Sequence, residues 1–284
     1  MIRRAVLTWV SPLKEWGAAK WPHVEIHKWS WRACVALLRT HFDEVVLYTD
    51  EIGEELFADF NFTDVVRLFD KDYPKELWGI AKLKTQAVQT KPYVHVDGDF
   101  FLFNFGNSAA ASDVLVQCKE YRHVNYNKSY VLLRQHDMCP PFQSNVVYNV
   151  GIVGGNNVGL LNQYANEGYS KGVKALDCIK DKNERIGINF YFEQAELVRF
   201  SPVEKTYFMG KPMTFYGSSD FVHVIGPSRS GYRLQMMREY ISKIEQESGV
   251  YIKDTCSLKA VSVYEEELVK EFHRPRIYTN KHFA

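Results

Sequence analysis

Residues 91–104 have the sequence Lys91-Pro-Tyr-Val-His-Val-Asp-Gly-Asp-Phe-Phe-Leu-Phe-Asn104, and the fold prediction starts from this stretch. The aromatic and β-branched run from Tyr93 to Val96 is typical of a buried strand. It ends at Asp97-Gly-Asp99, and a second apolar run, 100–103, follows at once. Two carboxylates one residue apart at the end of a buried strand are costly unless a cation lies between them. Asp97 and Asp99 are therefore candidate ligands of Mn²⁺ or Mg²⁺; the alternative is a polar turn, in which Asp-Gly is frequent.

The chain before this stretch alternates short apolar runs with amphipathic segments. It predicts strands at 5–10, 44–50 and 64–69, and helices at 30–39, 52–60 and 75–90. This alternation is typical of a mainly parallel sheet covered by helices, which binds its ligands at the carboxyl ends of the strands. Thr8, Tyr48 and Asp50 fall at that edge and are candidate contacts for a base and ribose, or else polar strand ends without a ligand.

The chain after this stretch is less regular. It predicts strands at 113–118, 130–133, 146–155, 204–209 and 221–225, and helices at 169–180, 188–199, 233–247 and 260–272. No internal repeat or linker divides the chain, so a single α/β domain is predicted. Its predicted parts are 1–104, 105–230 and a C-terminal helical extension (231–284).

Composition excludes several classes of protein. Of the 284 residues, 35 are basic and 34 acidic, and this balance argues against bulk electrostatic binding of nucleic acid. Five scattered cysteines without a Cys-x-x-Cys pair predict reduced thiols and no zinc site. No apolar run has the length of a signal or membrane-spanning segment, so a cytoplasmic chain is predicted. The last stretch, 265–284, with His273-Arg-Pro-Arg276 and Lys281-His282, is a candidate for peripheral membrane contact, or else a solvated tail.

The predicted helix 75–90 has a polar stripe and an apolar stripe. Trp78, Lys82, Thr85 and Gln89 share the polar one. Lys82 on that side is a candidate phosphate contact, and the alternative is a solvated surface lysine.

Five features follow one another along the chain. They are Lys82 in its helix, Asp97-Gly-Asp99, Tyr148-Asn-Val-Gly-Ile-Val-Gly-Gly155, Glu193-Gln194 and Phe221-Val-His-Val-Ile-Gly-Pro-Ser-Arg229. This ordered set resembles that of nucleotide-sugar glycosyltransferases of the GT-A type. It is most similar to glycogenin and the bacterial lipopolysaccharide glycosyltransferases of family 8. The resemblance implies a GT-A, Rossmann-like sheet and a donor that is a nucleotide-diphosphate sugar, with a UDP-sugar expected. It also implies that 1–104 is the nucleotide-binding half and that 105–230 is the half for donor sugar and acceptor.

The resemblance also implies roles for residues near the donor sugar. Asn149 corresponds to an amide that contacts the sugar, and Gly154 and Gly155 would let the sugar ring approach the backbone. Glu193 and Gln194 correspond to the catalytic pair, although the family more often has Asp at the first position. A glycine turn and an ordinary polar helix turn are the alternatives for these two motifs.

The last motif implies the remaining donor contacts. His223 would complete a metal site with the two aspartates, because imidazole is a good ligand of Mn²⁺. Gly226 would allow close backbone approach, and Arg229, where the family has Lys, would hold a phosphate. The Pro-Trp that often follows in the family is absent. A lone histidine at a strand end is otherwise a core residue.

The resemblance implies a metal-dependent sugar transfer to a carbohydrate or lipid-linked saccharide acceptor, in bacterial surface polysaccharide or lipopolysaccharide assembly. If the reaction is retaining, Glu193 or Gln194 would stabilise positive charge on the sugar; if it is inverting, Glu193 would be the general base. A sugar-phosphate nucleotidyltransferase is one alternative, but the sequence Thr8-Trp-Val-Ser-Pro12 lacks the glycine-rich loop expected after its first strand. A metal-dependent phosphohydrolase and a non-catalytic nucleotide- or carbohydrate-binding module are the others.

Overall fold

The computed structural model describes residues 1–11, 24–74, 77–121, 124–139, 144–214 and 218–224. In this part of the chain the strands are β1 (Arg4–Thr8), β2 (Glu44–Thr49), β3 (Asp64–Arg67), β4 (Tyr93–Val96), β5 (Phe100–Leu102), β6 (Leu115–Tyr121), β7 (Val146–Gly155), β8 (Tyr207–Phe208) and β9 (Phe221–His223). The α-helices are α1 (Val24–His41), α2 (Glu51–Leu56), α3 (Trp78–Ala87), α4 (Asn107–Ala111), α5 (Val124–Gln135), α6 (Val158–Cys178), α7 (Lys182–Phe190) and α8 (Leu197–Phe200). A π-helical turn (Tyr191–Ala195) separates α7 from α8, and a 3₁₀ turn (Val203–Lys205) precedes β8.

The described strands form one large sheet and one small sheet. The large sheet has the order β3-β2-β1-β4-β7-β6-β8, and β7 alone among these strands runs antiparallel to both of its neighbours. The small sheet pairs β5 with β9 in antiparallel orientation. The predicted mixed, mainly parallel sheet covered by helices is therefore confirmed.

Side-chain alternation along the strands builds a core on each face of the large sheet. Ala5 and Leu7 of β1 belong to the core that contains residues of α1, whereas Val6 belongs to the core that contains residues of α3 and α6. Strands that bury both faces need apolar residues at consecutive positions. The continuous apolar runs in the sequence are a consequence of this double burial.

Helix α3 has the two predicted stripes, but its polar stripe faces the sheet and not the solvent. On the apolar side, Gly168 of α6 leaves the room that Leu83 fills, since a Cβ at Gly168 would lie 2.8 Å from Leu83 Cδ1. On the polar side, the Thr8 hydroxyl donates a hydrogen bond of 2.8 Å to Thr85 Oγ1. Buried polar strand ends need partners. The polar stripe supplies those partners, and Lys82 lies on it.

Two predicted strands of the second half have a different structure. Residues 130–133 belong to α5, in which Tyr126, Ser129 and Leu133 are buried at helical spacing. A four-residue apolar run does not distinguish a strand from a buried helix segment, and here the helix period prevails. Of the predicted 204–209 strand, only Tyr207–Phe208 forms a strand, and its first residues belong to the 3₁₀ turn. The helices predicted at 233–247 and 260–272 lie outside the described residues.

Pairing of β5 with β9 brings a late segment of the chain to the end of β4. Phe100 lies opposite His223 in this pair, and the Val224 amide donates to Asp99 O at 2.9 Å. Separately, none of the helices in the described ranges is both long enough and apolar enough to cross a bilayer.

Candidate functional site

Three side chains that the sequence predicted as metal ligands lie together at the carboxyl end of β4. One ligand atom from each of Asp97, Asp99 and His223 lies within 4.8 Å of the other two. His223 Nε2 is 3.5 Å from Asp99 Oδ1 and 3.9 Å from Asp97 Oδ2. Two ligands about 2.1 Å from a common ion can have such separations. Two carboxylates and an imidazole therefore suit Mn²⁺ or Mg²⁺ in chemistry, and both distances from His223 suit a common ion.

Gly98, between the two aspartates, leaves room for an indole ring. A Cβ at Gly98 would lie 2.1 Å from Cε2 of Trp31, a side chain that is 5% exposed. Trp31 is on α1, so the turn that presents both carboxylates packs directly against a helix of the core. The glycine is required here by this close contact.

Carboxylates outnumber ammonium groups around the site in the described part of the chain. The acidic groups are Asp97, Asp99, Glu120 and Glu193, and the ammonium is that of Lys82. Burial raises the pKa of Glu120, against the opposing effects of an Asn149 hydrogen bond and the nearby His223. An excess of buried negative charge is stabilised by a bound cation.

Lys82 lies inside the site and is held between two carboxylates. Its Nζ atom is 2.7 Å from Asp97 Oδ1 and 2.7 Å from Glu193 Oε1, and its side chain is 13% exposed. Burial alone would lower the pKa of Lys82, but the charges of Asp97 and Glu193 outweigh this effect and raise it. The structure thus places Lys82 at the predicted site, with protein carboxylates as its partners.

Glu193 and Gln194 lie on the π-helical turn that interrupts the helix predicted at 188–199. Glu193 is 1% exposed, and its Oε2 atom has no hydrogen-bond partner among the described residues. Gln194 Oε1 accepts a hydrogen bond from the Tyr126 hydroxyl. The Tyr164 hydroxyl donates to the Glu193 carbonyl at 2.5 Å. Single π-turns inside helices are frequent at functional sites, and this one directs Glu193 towards Lys82.

The burial of Glu193 predicts a pH dependence of stability. Burial raises the pKa of Glu193 from 4.5 to about 7, although Lys82 opposes this shift. The native state then holds the proton more tightly than the unfolded state, so this group lowers the free energy of unfolding as pH rises from about 4.5 to about 7. We expect urea unfolding of the metal-free protein to show that wild type loses stability relative to Glu193→Gln between pH 5 and pH 7.5. A pH-independent difference between the two proteins would contradict the raised pKa.

Asn149 lies at the site, but Gly154 and Gly155 do not. The Asn149 amide donates to Glu120 Oε1 at 2.6 Å, and Asn149 Oδ1 accepts from the Gly151 amide at 3.2 Å. Gly155 pairs with Tyr93 at the opposite end of β4, about 13 Å from the metal ligands at the usual rise of a strand.

The structure gives Gly154 and Gly155 a different reason to be glycine from the predicted sugar contact. A Cβ at Gly154 would lie 2.1 Å from the Tyr93 carbonyl oxygen, and one at Gly155 would lie 1.9 Å from the Asp113 carbonyl oxygen. Gly155 also has a φ of 151°, which other residues rarely adopt. Close packing between strands therefore explains the pair.

The three predicted base and ribose contacts have protein partners. Thr8 Oγ1 is 2.9 Å from His95 Nε2 in addition to its bond to Thr85, so this hydroxyl lies in the core under the sheet edge. The Tyr48 hydroxyl accepts from Arg4 Nη2 at 2.9 Å, at the amino end of β1 and thus away from the predicted edge.

Asp50 is fully buried and holds the backbone at the sheet edge. Its Oδ1 atom accepts from the Gly53 amide at 2.9 Å as the N-cap of α2. Its Oδ2 atom accepts from the Ser11 amide at 2.6 Å, which fixes the chain just after β1. Both oxygens thus stabilise local structure. Gly226 and Arg229, the other predicted donor contacts, lie outside the described residues.

Sequence analysis missed two polar residues of β6 that border the site, Gln117 and Glu120. They are 0% and 5% exposed, respectively. Polar side chains in a strand that lies inside a sheet are unusual, because burial requires hydrogen-bond partners for them. For Gln117, its position in the otherwise apolar start of 115–121 was the signal that could have identified it, whereas Glu120 follows Lys119 and has no such signal.

Comparison with known proteins shows the family of the chain. The pattern of a family of unknown function (DUF6734) matches residues 9–241, and the chain belongs to this family. No curated protein matches the chain. One similar solved structure is described as the structure of the inositol-1-phosphate CTP transferase from T. maritima. It is 12% identical with a TM-score of 0.41, over 87% of this chain and 97% of that chain, and a likeness at this level carries no inference about activity.

Proposed function

We propose that this member of the DUF6734 family is a metal-dependent transferase that moves a sugar from a nucleotide-diphosphate sugar to a hydroxyl acceptor. The convergence of Asp97, Asp99 and His223 at the carboxyl edge of a mixed sheet carries the proposal. Ligands of such sheets bind at this edge. The ordered motifs that resemble GT-A glycosyltransferases of family 8 support the choice of sugar transfer. A UDP-sugar is the proposed donor, and a carbohydrate or lipid-linked saccharide the proposed acceptor.

The described residues suggest how the site would work. A divalent cation held by Asp97, Asp99 and His223 would neutralise charge on the departing diphosphate. Lys82 fixes the Asp97 carboxylate through their 2.7 Å contact, and Glu193 balances the charge of Lys82 through a second contact of 2.7 Å. The position of the Asp97 carboxylate is thereby set before the donor binds, which reduces the cost of reorganisation.

The position of Glu193 favours the retaining form of the reaction within this proposal. Its carboxylate is 1% exposed and bound to Lys82, so it is poorly placed to accept a proton from an acceptor hydroxyl. In a retaining reaction on the leaving-group face, the departing diphosphate can take this proton, and no side-chain base is needed. Gln194 has its amide oxygen occupied by Tyr126, and its NH₂ group would contact the sugar.

Nucleotidyl transfer is the second candidate, because a metal ion in this site would contact phosphate oxygens in both reactions. The metal ligands therefore do not distinguish which bond breaks. In that reaction a phosphate of the acceptor attacks the α-phosphorus of a nucleoside triphosphate, and pyrophosphate leaves. A divalent cation held by Asp97, Asp99 and His223 would stabilise the pyrophosphate leaving group equally well, with Lys82 beside it.

The decisive experiment combines a binding screen with product analysis on the full chain. UDP, GDP, CMP, CTP and the corresponding sugar conjugates are tested for a rise in melting temperature, with and without Mn²⁺. A ligand at 100 times its Kd should add about 2.7 kcal/mol of stability, or about 5 °C. Release of a nucleoside diphosphate from a stabilising sugar conjugate supports sugar transfer, and release of pyrophosphate supports nucleotidyl transfer. If no nucleotide stabilises the protein in the presence or absence of Mn²⁺, both proposals fail.

A further inference from the structure

His223 makes a second contact on the side of the ring that faces away from Asp97 and Asp99. Its Nδ1 atom is 2.7 Å from Oε1 of Gln117, and both side chains are buried. Gln117 lies on β6 and His223 on β9, so this contact joins the large sheet to the small sheet. A buried hydrogen bond between these segments fixes the orientation of the imidazole plane.

A third group identifies which atom of the Gln117 amide faces the histidine. Gln117 Nε2 lies 3.1 Å from the Thr214 carbonyl oxygen. A carbonyl oxygen accepts hydrogen bonds and never donates them, so the NH₂ end of the amide must face Thr214. The amide oxygen of Gln117 therefore faces His223, independently of how the two ends of the amide are assigned.

This orientation selects one tautomer of neutral His223. Because Gln117 Oε1 can only accept, the proton of the ring must be on Nδ1. Nε2 then carries a lone pair, and Nε2 is the atom 3.5 Å from Asp99 Oδ1. Without Gln117, the adjacent carboxylates would favour a proton on Nε2, which would block that atom as a ligand.

Gly151 of β7 makes room for this contact. A Cβ at position 151 would lie 2.4 Å from Gln117 Oε1 and 2.4 Å from His223 Cε1. Both distances are shorter than any that real Cβ atoms show, so a side chain here would separate the pair or displace the strand.

We propose that Gln117 is a positioning residue that holds His223 as the Nδ1–H tautomer and so makes Nε2 available to the divalent cation. This inference rests on the metal site of the proposed function. Histidines that bind metals commonly donate their other N–H to an acceptor, and loss of that acceptor typically costs 10–100-fold in affinity. Gln117 is the acceptor in this structure.

The test compares two substitutions of similar size on the full chain. Gln117→Met removes the acceptor atom, and Gln117→Glu keeps an oxygen acceptor for Nδ1–H. Mn²⁺ affinity is measured from the spin-resonance signal of free Mn²⁺, and the His223 tautomer from ¹⁵N chemical shifts of the metal-free protein. We expect Gln117→Met to weaken Mn²⁺ binding about 10–100-fold and to increase the Nε2–H form, and Gln117→Glu to retain both properties. A merely structural role of Gln117 would change the melting temperature and leave the tautomer as it is.

Gly151→Ala provides a second route to the same contact if Gln117→Met does not fold. It leaves the Gln117 amide unchanged but pushes the pair apart, and we expect it to weaken Mn²⁺ binding as well. Wild-type His223 with its proton on Nε2, or unchanged tautomer and affinity in a folded Gln117→Met, would overturn the inference. Complete absence of Mn²⁺ binding by wild type would instead overturn the proposed metal site, and the tautomer measurement would still test the role of Gln117.

Discussion

Replacement of Asp99 by asparagine is expected to lower transfer activity by at least about 10²-fold, because a metal ligand contributes several kcal/mol to charge stabilisation. Asparagine keeps the size of the side chain but removes the negative charge. The substitution should also abolish the Mn²⁺-dependent part of the nucleotide-induced rise in melting temperature. Asp99 is a cleaner target than Asp97, since Asp97 also binds Lys82 at 2.7 Å.

The matched control for this substitution is Asp43→Asn. Asp43 precedes β2 at the opposite edge of the sheet, pairs with Arg3, and has a side chain that is 59% exposed. Its replacement should leave both activity and Mn²⁺ dependence at the wild-type level. Full activity of Asp99→Asn at saturating Mn²⁺ would contradict the proposed role of Asp99 as a metal ligand.

Lys82→Met is expected to have the largest effect on stability. It removes the cation between Asp97 and Glu193, and loss of one partner of a buried ion pair typically costs about 3–5 kcal/mol. Without the ammonium, the pKa of Glu193 rises further above its usual range. The decrease in the free energy of unfolding caused by Lys82→Met should therefore be greatest at pH 7.5 and smaller at pH 5, where Glu193 is protonated. Urea unfolding of the metal-free protein at the two pH values measures both effects.

The double variant Lys82→Met/Glu193→Gln serves as the internal comparison. Neutral glutamine removes the uncompensated charge, so most of the lost stability should return and its pH dependence should largely disappear. Equal destabilisation of the single and double variants would show that the lost stability comes from the other contacts of the ammonium, with Asp97 or with the Trp78 ring, and not from its pairing with Glu193.

Local pattern was sufficient for the inner strands β1, β2 and β4 of the large sheet. The apolar runs of β1, β2 and β4 bury both faces, so neither face depends on details of distant packing, and their prediction is confirmed. The run at 130–133 is equally apolar but belongs to α5, because its burial depends on a helical neighbour that the sequence does not identify. A short apolar run outside a regular strand–helix alternation therefore did not distinguish a strand from a helix.

The same distinction applies to the site. Asp97 and Asp99 were predicted because two carboxylates at the end of a buried strand indicate a cation site, whereas His223 was added by the resemblance to the glycosyltransferase motifs. Partners of Tyr48 and Lys82 come from segments far away in the chain, and no local pattern predicts that a polar group will have a protein partner there. Gly154 and Gly155 show this limit most clearly, because contact with neighbouring backbone explains them.

The pairing of β5 with β9 has a consequence for how quickly an ion is released. His223 is held by a three-residue strand whose only strand partner among the described residues is β5, and two-stranded ribbons are marginally stable in isolation. Opening of this ribbon would remove one of three ligands while the seven-stranded sheet stays intact. The residence time of the ion should then follow the opening rate of the ribbon, and bound Mn²⁺ should slow hydrogen exchange of the β9 amides more than that of β1.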